Sequence, residues 1–277
     1  MTAQPVPTEV MGMANEQTLK VPSVPEVKKG YLEALIAKGK RADGRGFEDY
    51  RALQFTSGLI HVADGSAKVK LGNTMVLAGI KMELGTPYPD GPEKGTISTG
   101  TELLPMASPG FDSGAPSPAS IELARVVDRG IRESECIDLK GLCVEPGKKV
   151  WTVYIDIHVL DFDGNLIDAS GLAAIAALRN TVVPAKKMDL GKDFKLKVKG
   201  IPVPVTLAKV GGSLLVDPCF DEEKVAEARI TITTDDKGDV RAMQKGLPGA
   251  FTREELRKAV KTSQDCGKVL RGRIEGI

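Results

Sequence analysis

Three arginines spaced for one face of a helix are the residues whose chemistry is most legible. Between Pro118 and Glu135 they stand at positions 125, 129 and 132. At about 100° per residue, Arg125, Arg129 and Arg132 fall together, at i, i+4 and i+7. The 1.5 Å rise per residue makes this a row about 10 Å long. A guanidinium offers a planar fork of donors that fits phosphate oxygens, and this spacing suits two or three successive phosphates of a nucleic-acid strand. A second reading uses the same residues. Arg125 pairs with Glu122, Arg129 and Arg132 pair with Asp128 or Glu133, and the face is simply solvated.

The element that must hold the row has clear signals. Ser117 supplies a capping hydroxyl and Pro118 suits the first helical position, where its missing N–H costs nothing. Leu123, Val126, Val127, Gly130 and Ile131 lie opposite the arginines and predict the buried side. Upstream, a helix is expected over about 25–38, with Val27, Tyr31, Leu35 and Ile36 on one side. Arg41-Ala42-Asp43-Gly44-Arg45-Gly46 reads as a turn-rich linker. Strands are expected at Gly58–Ala63, Ser66–Leu71, Thr74–Met82 and Thr96–Leu104, with turns at Asp64-Gly65 and Gly72-Asn73. Pro87–Lys94 and Ala107–Pro118 read as loops. Leu139–Val144 and Lys149–Leu160 follow as strands, and Asp168–Asn180 as an Ala-rich helix able to approach a sheet closely. Val203–Leu207, Ser213–Pro218, Ile230–Thr234 and Val240–Gln244 complete the strands, the last two around an Asp235-Asp236-Lys237-Gly238 turn. Asp221–Glu227 reads as helix or turn. A closing helix opens at Thr252 and runs to about Arg271, with Leu256, Val260 and Val269 inward. Strands and helices are grouped rather than alternating, so the fold class expected is α+β with mixed sheets.

Composition excludes several function classes. Lys plus Arg (38) nearly balances Asp plus Glu (37), so no general basic field attracts polyanions, and any such site is a local patch. Cys136, Cys143, Cys219 and Cys266 show no CxxC spacing, and only His61 and His158 accompany them, so a zinc site is not expected. They read as reduced thiols of an intracellular chain. No leader peptide and no long apolar run is recognised, which predicts a soluble, cytoplasmic protein with no membrane contact. Asp156, Asp161, Asp163 and Asp168 are numerous, but strand alternation splits Asp156 from Asp161, and no metal or other cofactor is expected. His61 and His158 read as satisfied sheet histidines. Lys186, Lys187, Lys192, Lys195, Lys197 and Lys199 fit a solvated linker better than an RNA contact. Residues 1–24 are expected to be a flexible tail, 25–185 a first domain, 186–199 a linker, and 200–277 a second domain.

Several stretches, taken together and in order, resemble the RNase PH family of phosphorolytic 3′-to-5′ exoribonucleases. They are Asp43-Gly44-Arg45 with Tyr50-Arg51, Asp64 to Thr74, and Ile121 to Arg132. Within that family, Glu145-Pro146-Gly147-Lys148-Lys149-Val150-Trp151 and Asp163-Gly164-Asn165-Leu166-Ile167-Asp168-Ala169 are most similar to the archaeal exosome ring subunit that lacks an active site. The resemblance implies the RNase PH-like fold (ribosomal protein S5 domain 2-like), two βαβ-type halves with mixed sheets and packed helices. It implies partners as well: a catalytic RNase PH-like subunit in three heterodimers forming a hexameric ring, S1-domain RNA-binding caps, and single-stranded RNA. It also matches Arg125 and Arg129, and with them Arg132, to arginines that bind RNA in related subunits.

Two departures from the family's catalytic pattern predict that no residue of this chain is catalytic. Active members carry Gly-Ser/Thr-Arg after the strand equivalent to Val150–Leu160, giving backbone N–H groups, a hydroxyl and a guanidinium to the phosphate nucleophile. This chain has Gly164-Asn165-Leu166-Ile167, and Asp168 follows with a charge expected to repel phosphate. Active members also carry Gly-Glu-Ala-Asp, whose aspartate serves the leaving oxygen. This chain has Ala226-Glu227-Ala228-Arg229. Three functions remain in view: a non-catalytic subunit that binds RNA and shapes its partner's site, a self-sufficient phosphorolytic nuclease, and a pure scaffold.

Overall fold

A computed structural model describes residues 26–276, so the expected tail at 1–24 lies outside the described residues. The chain order is α1 (Glu26–Ala37), β1 (Leu53–Ser57), β2 (Gly65–Leu71), β3 (Thr74–Gly85), β4 (Thr96–Leu103), α2 (Pro118–Glu133), β5 (Cys143–Glu145), β6 (Lys149–Asp161), α3 (Leu166–Arg179), β7 (Val182–Val183), β8 (Phe194–Lys195), β9 (Val203–Val210), β10 (Ser213–Val216), α4 (Phe220–Val225), β11 (Ala228–Thr234), β12 (Val240–Gly246) and α5 (Arg253–Glu275). The expected α+β arrangement holds. One sheet runs β1-β2-β3-β6-β4 with β5 against β6, a second runs β10-β9-β11-β12, and β7 pairs with β8. Parallel pairing is confined to β4 and β6, joined through α2 as a crossover; the other pairs are antiparallel.

The two sheets meet through α3. It packs on β2 and β3 of the first sheet and on β9 of the second. Its alanines and Gly171 make that close approach possible: a Cβ at Gly171 would lie 2.5 Å from Pro204. Leu172, Ile175 and Leu178 are fully buried there, each contributing about 1.5–3 kcal/mol. α2 lies beside α3 and spans from β4 to β12, and α5 covers β9 and β11. The row of arginines is therefore carried on a helix anchored to both halves.

Several local expectations need correction. Gly58–Ala63 is not a strand: β1 lies upstream, pairing Ser57 with Ala67. Gly58 at φ +70 ends it, and Ser66 Oγ then accepts from the Ile60 N–H at 3.0 Å, holding the segment as a loop. The tight Asp64-Gly65 turn is likewise replaced by this longer loop. Leu139–Leu142 forms a 3-10 turn, closed by the Gly141 N–H on the Asp138 carbonyl at 3.1 Å, and only Cys143–Glu145 is strand. In α1 the inward residues are Leu32 and Ile36, with Val27 and Tyr31 exposed. In α5 the inward stripe runs through Ala259, Ser263, Leu270 and Ile274, leaving Val269 60% exposed. Among the described residues no helix is long and apolar enough to cross a membrane.

Candidate RNA interface and the loop before α3

α2 begins as its sequence dictates. Ser117 Oγ accepts from the Ser120 N–H at 3.2 Å, and Pro118 occupies the first turn. Leu123, Val126, Val127, Gly130 and Ile131 are buried, as the periodicity predicts. The opposite face keeps Arg125 and Arg129 exposed and Arg132 half-buried.

Of the pairings expected along the row, the one between Arg132 and Asp128 forms, whereas Glu122 turns away from Arg125. Glu122 accepts from Arg229 at 3.2 Å, across from the second sheet, rather than pairing with Arg125. Asp128 accepts two bonds from Arg132, both at 2.9 Å, and a third from the Thr99 hydroxyl at 3.1 Å. Arg132 also donates to the Ile97 carbonyl at 3.0 Å. The bonds to Asp128 hold its guanidinium above the ordinary arginine value. Arg125 and Arg129 make no ion pair among the described residues. Of the three predicted residues, two stand un-neutralised side by side and the third is already committed.

The loop between β6 and α3 is packed tightly against the second half. Gly164 at φ +86 passes so close to the second half that a Cβ would lie 2.5 Å from the Cys219 carbonyl carbon. Asn165 adopts φ +55 and caps α3, its amide donating to Asp168 and Asp217 at 2.8 Å each. The Asn165 backbone N–H, which the family pattern would offer to phosphate, donates instead to Glu223 Oε1 at 2.9 Å. Burial pushes the Glu223 carboxyl above its usual range, and the charge of Arg229 opposes this. A carboxyl group of α4 thus occupies the Asn165 N–H at the start of α3.

Around this loop the lining is mostly aliphatic and aromatic, with Glu122, Glu223, Lys224 and Arg229 as its charged members. Leu166 and Ile167 line a cavity of about 220 Å³ together with Phe111, Phe162 and Phe220. No hydroxyl and no guanidinium stand where those two side chains are. Asp168 requires a correction. It is fully buried and turned toward the second half, accepting from Tyr50 Oη (2.7 Å), the Thr206 N–H (3.0 Å) and Thr206 Oγ1 (2.7 Å). It therefore ties the halves together. The carboxyl group that meets the loop's backbone is Glu223, and sequence reasoning missed it: Asp221, Glu222 and Glu223 form an acidic run in which no periodicity marks the inward member.

The remaining candidates are dispersed. Asp156 is exposed on the outer face of β6, and among the described residues no three His, Cys, Asp or Glu side chains gather as a metal-binding group. His158 Nδ1 lies 3.2 Å from Glu102 on the neighbouring strand, whereas His61 is exposed in the loop before β2 and is not a sheet residue. Lys186 and Lys187 occupy a 3-10 turn between β7 and β8, and Lys199 pairs with Asp138 at 3.0 Å.

Comparison with known proteins matches this geometry to one family. Residues 49–184 match domain 1 of the 3′ exoribonuclease family, and residues 200–266 match its domain 2. The chain is 47% identical over 254 residues to the exosome complex component Rrp42 of Methanocella arvoryzae, covering 92% of this chain and 98% of the relative. It is 52% identical over 246 residues to the Rrp42 of Thermoplasma acidophilum, covering 89% and 94%. A solved structure described as the Archaeoglobus fulgidus exosome with RNA bound to the active site superposes with a TM-score of 0.88 at 49% identity, covering 90% of this chain and 98% of that one.

Proposed function

Because the chain belongs to the 3′ exoribonuclease (RNase PH) family, we propose that it is a non-catalytic ring subunit of an archaeal-type exosome, a phosphate-dependent 3′-to-5′ RNA-degrading complex. In this reading it binds single-stranded RNA and helps form the active site of a catalytic RNase PH-like partner. The observation that carries it is the pair Arg125 and Arg129, exposed and un-neutralised on α2 while Glu122 and Asp128 are held by other arginines. A scaffold has no need for two free guanidiniums one helical turn apart. Holding successive phosphates fixes the strand's position, which lowers the entropic barrier to reaction at a neighbouring centre.

The lack of catalysis rests on the α3 loop. Inorganic phosphate entering there meets the Glu223 carboxyl on the Asn165 N–H, and Leu166 and Ile167 in place of the motif's hydroxyl and arginine. Arg229 stands where the active pattern has its aspartate. The subunit works in the cytoplasm as one member of each of three heterodimers that form a hexameric ring, capped by S1-domain RNA-binding subunits. Contacts in such an obligate ring bury over roughly 2,000 Å² each.

The test is phosphate-dependent release of nucleoside diphosphates, by the chain alone and assembled with a catalytic partner. The chain alone is expected to release none, and the assembled ring to degrade RNA. In a ring carrying Arg125→Ala with Arg129→Ala, each lost contact should weaken RNA binding by about 1.5–3 kcal/mol where shielded, and less where solvated. The salt dependence should flatten by about 0.7 log units per lost contact. Turnover by the purified chain alone would make it a nuclease in its own right. An unchanged affinity, salt slope and decay rate in an intact variant ring would leave only the scaffold.

A further inference from the structure

Two hollows flank α2, one on each side of Arg125 and Arg129, and they differ in chemistry. The first, about 380 Å³, lies between α2 and the β11–β12 ribbon, with Ile121, Val126, Ala242 and Met243 as apolar walls and Glu122 and Gln244 as polar lining. The second, about 280 Å³, is lined by Thr99, Asp128, Arg132 and Glu133. Both arginines border both hollows.

We propose that the groove between α2 and β12 receives one base of the RNA strand whose phosphates lie on Arg125 and Arg129. This rests on the RNA-binding reading above and names where a nucleotide sits. Ile121 and Met243 are 48% and 42% exposed, so the groove presents apolar surface to solvent beside two free positive charges. Apolar walls next to guanidiniums match the two halves of a nucleotide, a flat base and a phosphate. Its volume lies at the lower end of the roughly 300–1,000 Å³ typical of small-ligand clefts.

The polar groups point the same way. Thr231 is already bonded to the Thr206 hydroxyl at 2.8 Å, but the Gln244 amide donates only a long 3.5 Å bond to the Lys245 carbonyl. An amide carries a donor and an acceptor side by side, the pattern that base edges present. The second hollow is lined by Thr99, Ala124 and charged side chains and offers no apolar wall like that of the first. A strand crossing the arginines therefore turns its base toward β12.

The experiment uses assembled rings and a short oligoadenylate in which a single abasic nucleotide is moved along the chain. In the parent ring, one position should lower affinity about three- to tenfold, the lower end of what a base gains on a protein surface, since no aromatic ring lines the groove. In a ring carrying Met243→Ala with Gln244→Leu, that penalty should vanish while the salt slope stays the same. The inference is overturned if the abasic penalty is equal in both rings. It is also overturned if the groove variant folds yet no longer joins the catalytic subunit, because the groove then holds a protein side chain. Arg125→Ala with Arg129→Ala separates this from the broader reading: an altered salt slope with an indifferent groove removes only the base site, and an unaltered slope removes both.

Discussion

The arginines of α2 and those near Arg41 use the same chemistry to opposite ends. Arg41 donates to Glu222 Oε1 (2.8 Å), the Val216 carbonyl (2.9 Å) and the Asp217 carbonyl (3.0 Å). Arg51 forks onto both Asp217 oxygens at 2.9 and 2.8 Å, and Arg45 reaches the same carboxylate at 3.0 Å. Burial alone would raise the Asp217 carboxyl, but the bonds and charge of Arg51 override it and hold the group below its ordinary value. These guanidiniums have nearly every donor matched inside the protein. Arg125 and Arg129 have none matched by an ion pair among the described residues. Saturation makes an arginine a tie between halves, and the lack of it leaves one for a ligand.

The largest effect should come from breaking the tie. Asp217→Ala would leave Arg51 and Arg45 without their shared carboxylate and strip the Arg51 backbone N–H and the Asn165 side-chain amide of an acceptor. Removing one partner of a buried ion pair costs about 3–5 kcal/mol. Urea denaturation should register that loss, whereas Arg125→Ala with Arg129→Ala should stay within about 0.5 kcal/mol of the parent. Equal stabilities for the two variants would erase the distinction drawn between the two sets.

An intermediate effect belongs to Asp168, in the same interior. Burial lifts its carboxyl from an ordinary 3.8 to about 6, against the bonds from Asn165, Thr206 and Tyr50. The folded chain then holds this proton where the unfolded chain has lost it, so Asp168's contribution to stability is fully present below 3.8 and lost as pH rises through about 6. The interval corresponds to about 3 kcal/mol as an upper bound. Asp217 works the other way, losing its contribution as pH falls. Asp168→Asn removes the titration, so the parent's stability relative to the variant should decline by about 1–3 kcal/mol between about pH 4 and pH 7. A difference that stays constant across that range would mean that Asp168 titrates as an exposed carboxylate does.

The ridge was more legible in the sequence than the tie, for a physical reason. Helical periodicity places residues on one face without reference to the rest of the chain, so Arg125, Arg129 and the buried stripe from Leu123 to Ile131 could be read directly. Periodicity says nothing about which distant group reaches a side chain first. Glu122 goes to Arg229, 107 residues away, and Arg41 goes to Glu222, 181 residues away. The segment from Arg41 to Gly46 consequently reads as a linker, although its arginines are buried or nearly so against the second half. The departures at Leu166, Ile167 and Arg229 were legible only by resemblance to a family pattern. Glu223 was not legible at all, because its role depends on the close approach of α4 to Gly164. Misread faces such as Val269 arise where apolar residues are sparse and a one-residue error rotates the stripe by about 100°.

The smallest effect concerns Arg132, which belongs to the ridge by spacing and to the tied set by its contacts. Its pair with Asp128 is a half-exposed i, i+4 pair with the acid nearer the N-terminus, worth about 0.3–0.5 kcal/mol to the fold. Its effect on RNA should be indirect. Asp128 lies one residue from Arg129, and with Arg132 gone its carboxylate is released to neutralise that guanidinium or repel the strand. Arg132→Ala should therefore weaken RNA binding by less than either Arg125→Ala or Arg129→Ala, and Asp128→Asn in the same chain should restore it. Filter binding across a salt series distinguishes the two roles. If Arg132 holds a phosphate itself, its loss flattens the slope by about 0.7 and Asp128→Asn gives no rescue. If it serves by occupying Asp128, the double variant binds as the parent does, and the row of three seen in the sequence works as a pair with a guard.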